Sequence, residues 1–100
     1  MERPVTCSLD DAAARDRLAE WTAALGTLVT AVEWPAPNRV RMPLRDDPAG
    51  TLVDLARREV ACCPFFEFGF EVTADGSALT ITVPDGAATV LRDFAALASP

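Results

Sequence analysis

Three cysteines, Cys7, Cys62 and Cys63, are the side chains of this sequence that are best suited to chemistry. The chain has no histidine and no tyrosine, which excludes a Ser-His-Asp triad, a histidine metal site and a tyrosine acid. Chemistry by this chain therefore depends on thiols and carboxylates. An odd number of cysteines fits a disulfide framework poorly, and thiols in a reducing cytosol stay reduced unless they bind metal or take part in redox reactions. A strained bond between the adjacent Cys62 and Cys63 is the less favoured alternative.

Glu59 lies one helical turn before the adjacent cysteines, in the middle of an apolar stripe. The spacing predicts a helix from Pro48 to Cys62, with Asp47 as its N-cap. On a helical wheel of about 100° per residue, the stripe is formed by Leu52, Leu55, Ala56, Glu59 and Cys63, with Cys62 at its margin. An unpaired carboxylate is costly to bury. Glu59 is therefore expected to turn outward, to pair with an arginine, or to share a site with both thiols. The candidate arginines are Arg39, Arg41 and Arg92.

Pro64 is expected to set the geometry of the two thiols. Adjacent residues of an ideal helix point about 100° apart, so two neighbouring thiols cannot face one point. A proline disfavours helical geometry at the residue before it, which moves Cys63 out of the helix and allows its sulfur to approach that of Cys62. Pro64 and Phe65 are expected to line a pocket beside the cysteines, where Phe65 shields the thiols from water.

Cys7 immediately precedes Ser8, the predicted N-cap of a first helix. A helix N-terminus favours the thiolate form of a nearby cysteine. If this helix starts near Pro64, all three sulfurs converge. Three thiolates without imidazole make a soft site, which suits Cu(I) and thiophilic ions such as Hg(II) and As(III). Structural zinc normally takes four cysteine or histidine ligands, so zinc is disfavoured.

Three functions remain open on this basis. The preferred one is a protein that binds a soft metal or metalloid through Cys7, Cys62 and Cys63, as a scavenger, a sensor or a handover protein, with Glu59 as a neighbouring or proton-handling group. The second is a thiol-dependent redox enzyme or peroxide sensor that uses the same cysteines, with Glu59 as proton shuttle. The third is a non-catalytic interaction module whose cysteines are buried and inert.

The segment from Glu59 to Phe66 reads Glu-x-x-Cys-Cys-Pro-Phe-Phe, and a Cys-x-Leu element at Cys7 opens the first helix. From Cys7 to about Leu97, the chain resembles small bacterial proteins with this pattern, some of which accompany heavy-metal regulators of the MerR type. The resemblance implies a thiophilic-metal context for the three cysteines and no particular activity. The sequence contains no winged-helix DNA-binding half, so it does not resemble such a regulator itself.

The elements that position these residues follow from hydrophobic periodicity. The order is α-β-β-α-β-β-α, an α+β fold in which two β-hairpins form an antiparallel sheet with helices on one face. The first helix, over Leu9–Leu25, carries an apolar stripe of Ala14, Leu18, Trp21 and Leu25, and Gly26 ends it. Strands follow at Leu28–Trp34 and Val40–Leu44, with a turn at 35–38, then at Phe66–Val72 and Leu79–Val83, with a turn at Asp75-Gly76. Asp85 caps the last helix, whose stripe is Val90, Leu91, Phe94 and Leu97.

Composition limits the partners. The 100 residues suit one domain, 1–100, and half of them are apolar. A net charge of −6 argues against nucleic acid. The first residues lack a signal pattern, and no apolar run approaches the roughly 18 residues needed to span a bilayer, so we expect a cytoplasmic protein that does not bind membranes. Its partner would be a metal ion or a thiol-reactive small molecule. Pro43 is expected to place its strand at a sheet edge, which favours a homodimer.

Overall fold

The computed structural model describes residues 11–45 and 50–98. These residues form an α+β fold with three α-helices and a four-stranded antiparallel sheet. The helices are α1 (Asp11–Leu28), α2 (Thr51–Cys62) and α3 (Ala88–Ala95), and the strands are β1 (Glu33–Ala36), β2 (Arg39–Leu44), β3 (Glu67–Thr73) and β4 (Gly76–Thr82). Short 3₁₀ turns cover Asp85–Ala87 and Ala96–Ala98. No helix within these ranges is long and apolar enough to cross a membrane.

Two predicted helix starts lie outside the described residues. These are the Ser8 cap of the first helix and the start of the second helix at Asp47 and Pro48. In the described part, α2 begins at Thr51 after Gly50, which supplies no side-chain cap. Asp85 forms no side-chain cap either, because it lies inside a 3₁₀ turn that begins after Pro84.

The first helix is longer than predicted and displaces the first strand. Gly26 does not end α1, which continues to Leu28, and the N–H of Val29 still donates to the carbonyl of Leu25 at 3.0 Å. The continuation buries Leu28 on the same face as Leu25. Strand β1 therefore starts at Glu33 and includes Pro35, which an edge strand tolerates.

Pro43 lies on an inner strand, so the prediction of an edge strand is wrong. The strand order is β1-β2-β4-β3, which puts β2 between two neighbours. Strand β1 pairs with β2 only at one end, over residues 39–41. Beyond that end, the carbonyl of Pro43 accepts a hydrogen bond from the N–H of Thr30 at 2.9 Å. The N and O atoms of one strand residue point to the same side, so the missing N–H removes no bond to β4.

One core cluster joins the helices to one face of the sheet. Val40, Met42 and Leu44 of β2 point into it, as their alternation predicts. The stripe of α1 is shifted from the prediction, because only the second half of this helix lies over the core. Ala14 is exposed and Leu18 is 50% exposed. Among the α1 residues whose burial is described, the buried ones are Trp21, Ala24, Leu25 and Leu28. In α3, Leu91 is buried as predicted, whereas Val90 is 40% exposed.

The phenylalanines of the second hairpin lie only partly in the core. Phe66 is buried, but it precedes β3, and Phe68 is half-buried. Phe70 is 38% exposed and Val72 is 84% exposed. The reason is position, because β3 is an edge strand and α2 covers only part of its inner face.

The outer face of the sheet carries a charged network centred on Arg41. Arg39 and Arg45 are exposed, as a solvated strand face predicts. The Arg41 guanidinium donates to both carboxylate oxygens of Glu71 at 3.1 and 3.0 Å and to Glu33 at 3.0 Å. This network links β1, β2 and β3 across the sheet. The hydrogen bonds from Arg41 lower the pKa of the Glu71 carboxyl below its ordinary value.

Replacing Arg41 by glutamine is expected to raise the pKa of Glu71 toward its ordinary value. The pKa of Glu71 is lower in the folded protein than in the unfolded chain. The network therefore stabilises the fold at pH values above the unfolded pKa of glutamate. This stabilisation is lost as the pH falls through the lowered pKa of the folded state. The measurement is an NMR titration of the Glu71 side-chain carboxyl in both proteins, with Glu67 of the same strand as control. An unchanged Glu71 titration in the variant would contradict the network.

Candidate metal centre

The helix that carries the candidate site buries the predicted face. Its buried residues are Leu52, Leu55, Ala56, Glu59 and Cys62. Asp54, Arg57, Arg58 and Ala61 are exposed on the opposite side. Glu59 is only 6% exposed, and within the described part of the chain it is the one charged residue that is buried. The prediction of a carboxylate in the apolar stripe is confirmed.

The helix ends at Cys62, and Cys63 leaves helical geometry as its position before Pro64 predicts. The Cys63 backbone has φ −129° and ψ 74°, while its N–H still donates to the carbonyl of Glu59 at 2.6 Å. This conformation turns the Cys63 side chain back toward its neighbour. The two sulfur atoms lie 3.8 Å apart, so no bond joins Cys62 to Cys63.

Glu59 is held in place from helix α1. The indole Nε1 of Trp21 donates a hydrogen bond of 2.6 Å to Oε1 of Glu59, and the guanidinium of Arg17 lies 3.8 Å from the same oxygen. Within the described ranges, the arginine that pairs with Glu59 is therefore Arg17, rather than Arg39, Arg41 or Arg92. The carboxylate stays buried because both donors compensate its lost hydration.

The second oxygen of Glu59 and the sulfur of Cys62 face each other. Sγ of Cys62 lies 3.9 Å from Oε2 of Glu59 and 3.6 Å from the guanidinium of Arg17. The same sulfur is 3.4 and 3.5 Å from the carbonyl oxygens of Arg58 and Glu59. The sulfur thus lies between a cation and several hydrogen-bond acceptors.

Glu59, Cys62 and Cys63 form a compact group of potential ligands. One carboxylate oxygen and the two sulfurs all lie within 4.8 Å of one another. Each of the three residues is less than 9% exposed. Two sulfurs and one oxygen make a predominantly soft donor set, which favours thiophilic ions over magnesium or calcium.

Cys63 departs from the expectation of reduced thiols, because it is disulfide-bonded in the structure. A metal would bind its sulfur only after reduction. Cys7 lies outside the described residues, so its convergence with the other two cysteines remains a prediction. Phe65 is buried and packs against Phe66 with ring centroids 4.6 Å apart. The roles of Phe65 and Pro64 as pocket-lining residues also remain predictions.

Arg17 and Trp21 belong to the site and were not assigned to it from the sequence. The apolar stripe of the first helix predicts a core position for Trp21, and Arg17 lies outside that stripe. The signal that identifies them is their spacing, since residues four apart lie on the same helix face. Trp21 is buried, so the side chain one turn before it also approaches the core.

Comparisons with known proteins give this site no precedent. The chain matches no protein-family model, no curated protein and no solved structure.

Proposed function

We propose that this protein binds a soft metal or metalloid ion, such as Hg(II), As(III) or Cu(I), at the C-terminus of α2. The observation that carries the proposal is the clustering of Glu59, Cys62 and Cys63 within 4.8 Å. A scavenger, a sensor and a handover protein are all consistent with such a site. The resemblance of the Glu-x-x-Cys-Cys-Pro-Phe-Phe segment to proteins that accompany heavy-metal regulators points in the same direction.

The distance between the sulfurs suits a shared ion. Metal–sulfur bonds of about 2.3 Å at a tetrahedral angle place two sulfurs about 3.8 Å apart. The sulfurs of Cys62 and Cys63 lie 3.8 Å apart before any ion binds. Binding would therefore require little movement of these side chains, once Cys63 is reduced.

The surrounding charges also favour metal binding. A cysteine binds metal as the thiolate, which carries negative charge. The guanidinium of Arg17 lies 3.6 Å from Sγ of Cys62 and stabilises that charge. Glu59 is anchored through Oε1 to Trp21, which leaves Oε2 directed at Cys62. In this arrangement Glu59 accepts the proton that the thiol releases, or it orients the sulfur.

Cys7 is the proposed third ligand. Glu59 is engaged by Arg17 and Trp21 through Oε1, so a third sulfur would make the donor set softer than the carboxylate does. The chain contains one more cysteine, Cys7. Three thiolates would satisfy the coordination of Hg(II) or As(III) without histidine.

Titration of the reduced protein with Hg(II), As(III), Cu(I) and Zn(II) tests the proposal. We expect one equivalent of a soft ion to bind, because the sulfurs are already close together, with weaker binding of Zn(II). Ultraviolet sulfur-to-metal charge-transfer absorbance and native mass spectrometry measure the stoichiometry. Cys62→Ser is expected to weaken binding at least 100-fold, since a hydroxyl is a poor ligand for soft ions. Binding no tighter than that of a variant with all three cysteines replaced by serine would disprove the proposal.

The disulfide at Cys63 favours a second candidate, thiol redox chemistry. Joining two thiols releases two protons and passes two electrons to an oxidant such as a peroxide. In this alternative, Cys7 or Cys63 attacks the oxidant, another cysteine resolves the product, and Glu59 carries protons. The rate of thiol alkylation near neutral pH separates the two functions, because a redox thiol reacts faster than a free model thiol. Alkylation of all three cysteines at the rate of a free model thiol would contradict the redox alternative.

A further inference from the structure

Strand β3 presents a long, unprotected sheet edge. It is an outer strand of the order β1-β2-β4-β3, and no described strand pairs with its other side. It spans seven residues, Glu67–Thr73, without proline. The opposite edge of the sheet is β1, which has four residues and contains Pro35. Short strands, prolines and charged side chains protect edges against pairing with other chains, so β1 is better protected than β3, whose only charged residues are Glu67 and Glu71.

An apolar surface continues from this edge onto helix α2. Phe70 is 38% exposed and Val72 is 84% exposed on the helix-covered face of the sheet. Beside Phe70, a shallow groove is lined by Val53, Ala56, Arg57, Val60, Phe68 and Phe70. A large exposed valine and phenylalanine next to an open strand edge are typical of an interface.

The backbone groups that point away from the sheet can be identified from β4. The N–H of Val83 donates to the carbonyl of Asn38, on the β2 side, at 3.0 Å. Successive strand residues point their backbone groups to opposite sides, so Thr82 faces β3, where it pairs with Glu67. By the same alternation, the odd-numbered residues of β3 bond to β4. The N–H and C=O groups of Phe68, Phe70 and Val72 therefore point outward.

We propose that two copies of this chain pair through β3, antiparallel, around a two-fold axis at Phe70. The pairing joins the two sheets into one of eight strands. Phe70 lies opposite Phe70 of the second copy, and Val72 lies opposite Phe68 of the second copy. The outward backbone groups of both copies then bond to each other, and the exposed apolar side chains are covered by their own equivalents.

The charges of β3 favour this register for pairing with a second copy. With the axis at Phe70, Glu71 lies opposite Gly69 and Glu67 lies opposite Thr73. A shift of the axis to Gly69 would oppose Glu67 and Glu71, and a shift to Glu71 would oppose that residue to itself. Like charges directly opposite each other are destabilising. Of the three axes that pair at least five residues of β3, the axis at Phe70 pairs all seven and is the one that keeps the glutamates from facing each other.

Charge substitutions at Thr73 test the register. Thr73→Lys places a cation opposite Glu67 of the second copy, and Thr73→Glu places an anion there, with Thr73→Gln as neutral control. Two equivalent pairs per dimer are expected to tighten the dimer by about 2- to 30-fold for lysine and to weaken it similarly for glutamate. The measurement is sedimentation equilibrium in reductant, which excludes intermolecular disulfides. Equal dissociation constants for the three variants would overturn the proposed register.

Phe70→Pro tests the edge itself. The outward N–H of Phe70 makes no bond to β4, so the variant is expected to keep its fold, which circular dichroism checks. The dissociation constant of the dimer is expected to rise at least 10-fold. A wild-type protein that remains monomeric at hundreds of micromolar would overturn the proposal. A Phe70→Pro variant that dimerises as tightly as the wild type would overturn it as well. Both measurements are independent of metal binding.

Discussion

Replacing Trp21 by alanine is expected to lower the free energy of unfolding by about 3–5 kcal/mol. Trp21 is 1% exposed. Its ring stacks on Phe68 at a centroid distance of 5.6 Å and meets the edge of Phe94 at 4.9 Å. The substitution leaves a cavity between α1 and the sheet and removes the donor that compensates the buried Glu59. Chemical denaturation at neutral pH measures the change.

Two further tryptophan variants separate packing from hydrogen bonding. Trp21→Phe keeps an aromatic ring but removes the N–H, so it is expected to cost about 1–3 kcal/mol through the unsatisfied Glu59 oxygen. Trp34, the other tryptophan, is 42% exposed, and Trp34→Phe is expected to change stability by less than about 0.5 kcal/mol. A Trp21→Phe protein as stable as the wild type would show that Arg17 alone satisfies the carboxylate.

Replacing Glu59 by glutamine is expected to weaken soft-metal binding by about 10- to 100-fold, the usual range for a residue that orients a ligand. Glutamine keeps the size of the side chain and can still accept the hydrogen bond from Trp21. It removes the negative charge that faces Cys62 Sγ at 3.9 Å. Competition titration of the reduced protein with a chelator measures the affinity.

Asp54→Asn is the matched control for the Glu59 variant. It makes the same charge change on the same helix, but Asp54 is exposed and pairs with Arg58 instead of the cysteines. The control is expected to bind metal as the wild type does. If both variants lose affinity equally, the effect is one of net charge, and Glu59 has no specific role at the site.

The fold was predictable from the sequence where one local rule decided the outcome. The buried stripe of α2 and its end before Pro64 follow from helical spacing and from proline geometry. Tertiary packing decided the remaining features. Gly26 predicts the end of the helix, yet burial of Leu28 extends α1 by two residues beyond it. The strand order placed Pro43 inside the sheet, and alternation alone cannot show which strand the helices leave uncovered.

The candidate site was predictable within α2 and not beyond it. Glu59 lies one helical turn before Cys62, and Pro64 takes Cys63 out of the helix, so local geometry predicts that the three side chains meet. Arg17 and Trp21 reach Glu59 from another helix, 42 and 38 residues away along the chain. Their role depends on how α1 packs against α2, and local sequence patterns do not predict this packing.

The hydrogen bond between Trp21 and Glu59 also makes the site observable by fluorescence. The indole N–H contacts one oxygen of Glu59, and the other oxygen faces the sulfur of Cys62. The emission of Trp21 therefore depends on a carboxylate that responds to events at the cysteines. In a Trp34→Phe background, Trp21 is the sole emitter. The protein then reports on its own thiols without a label.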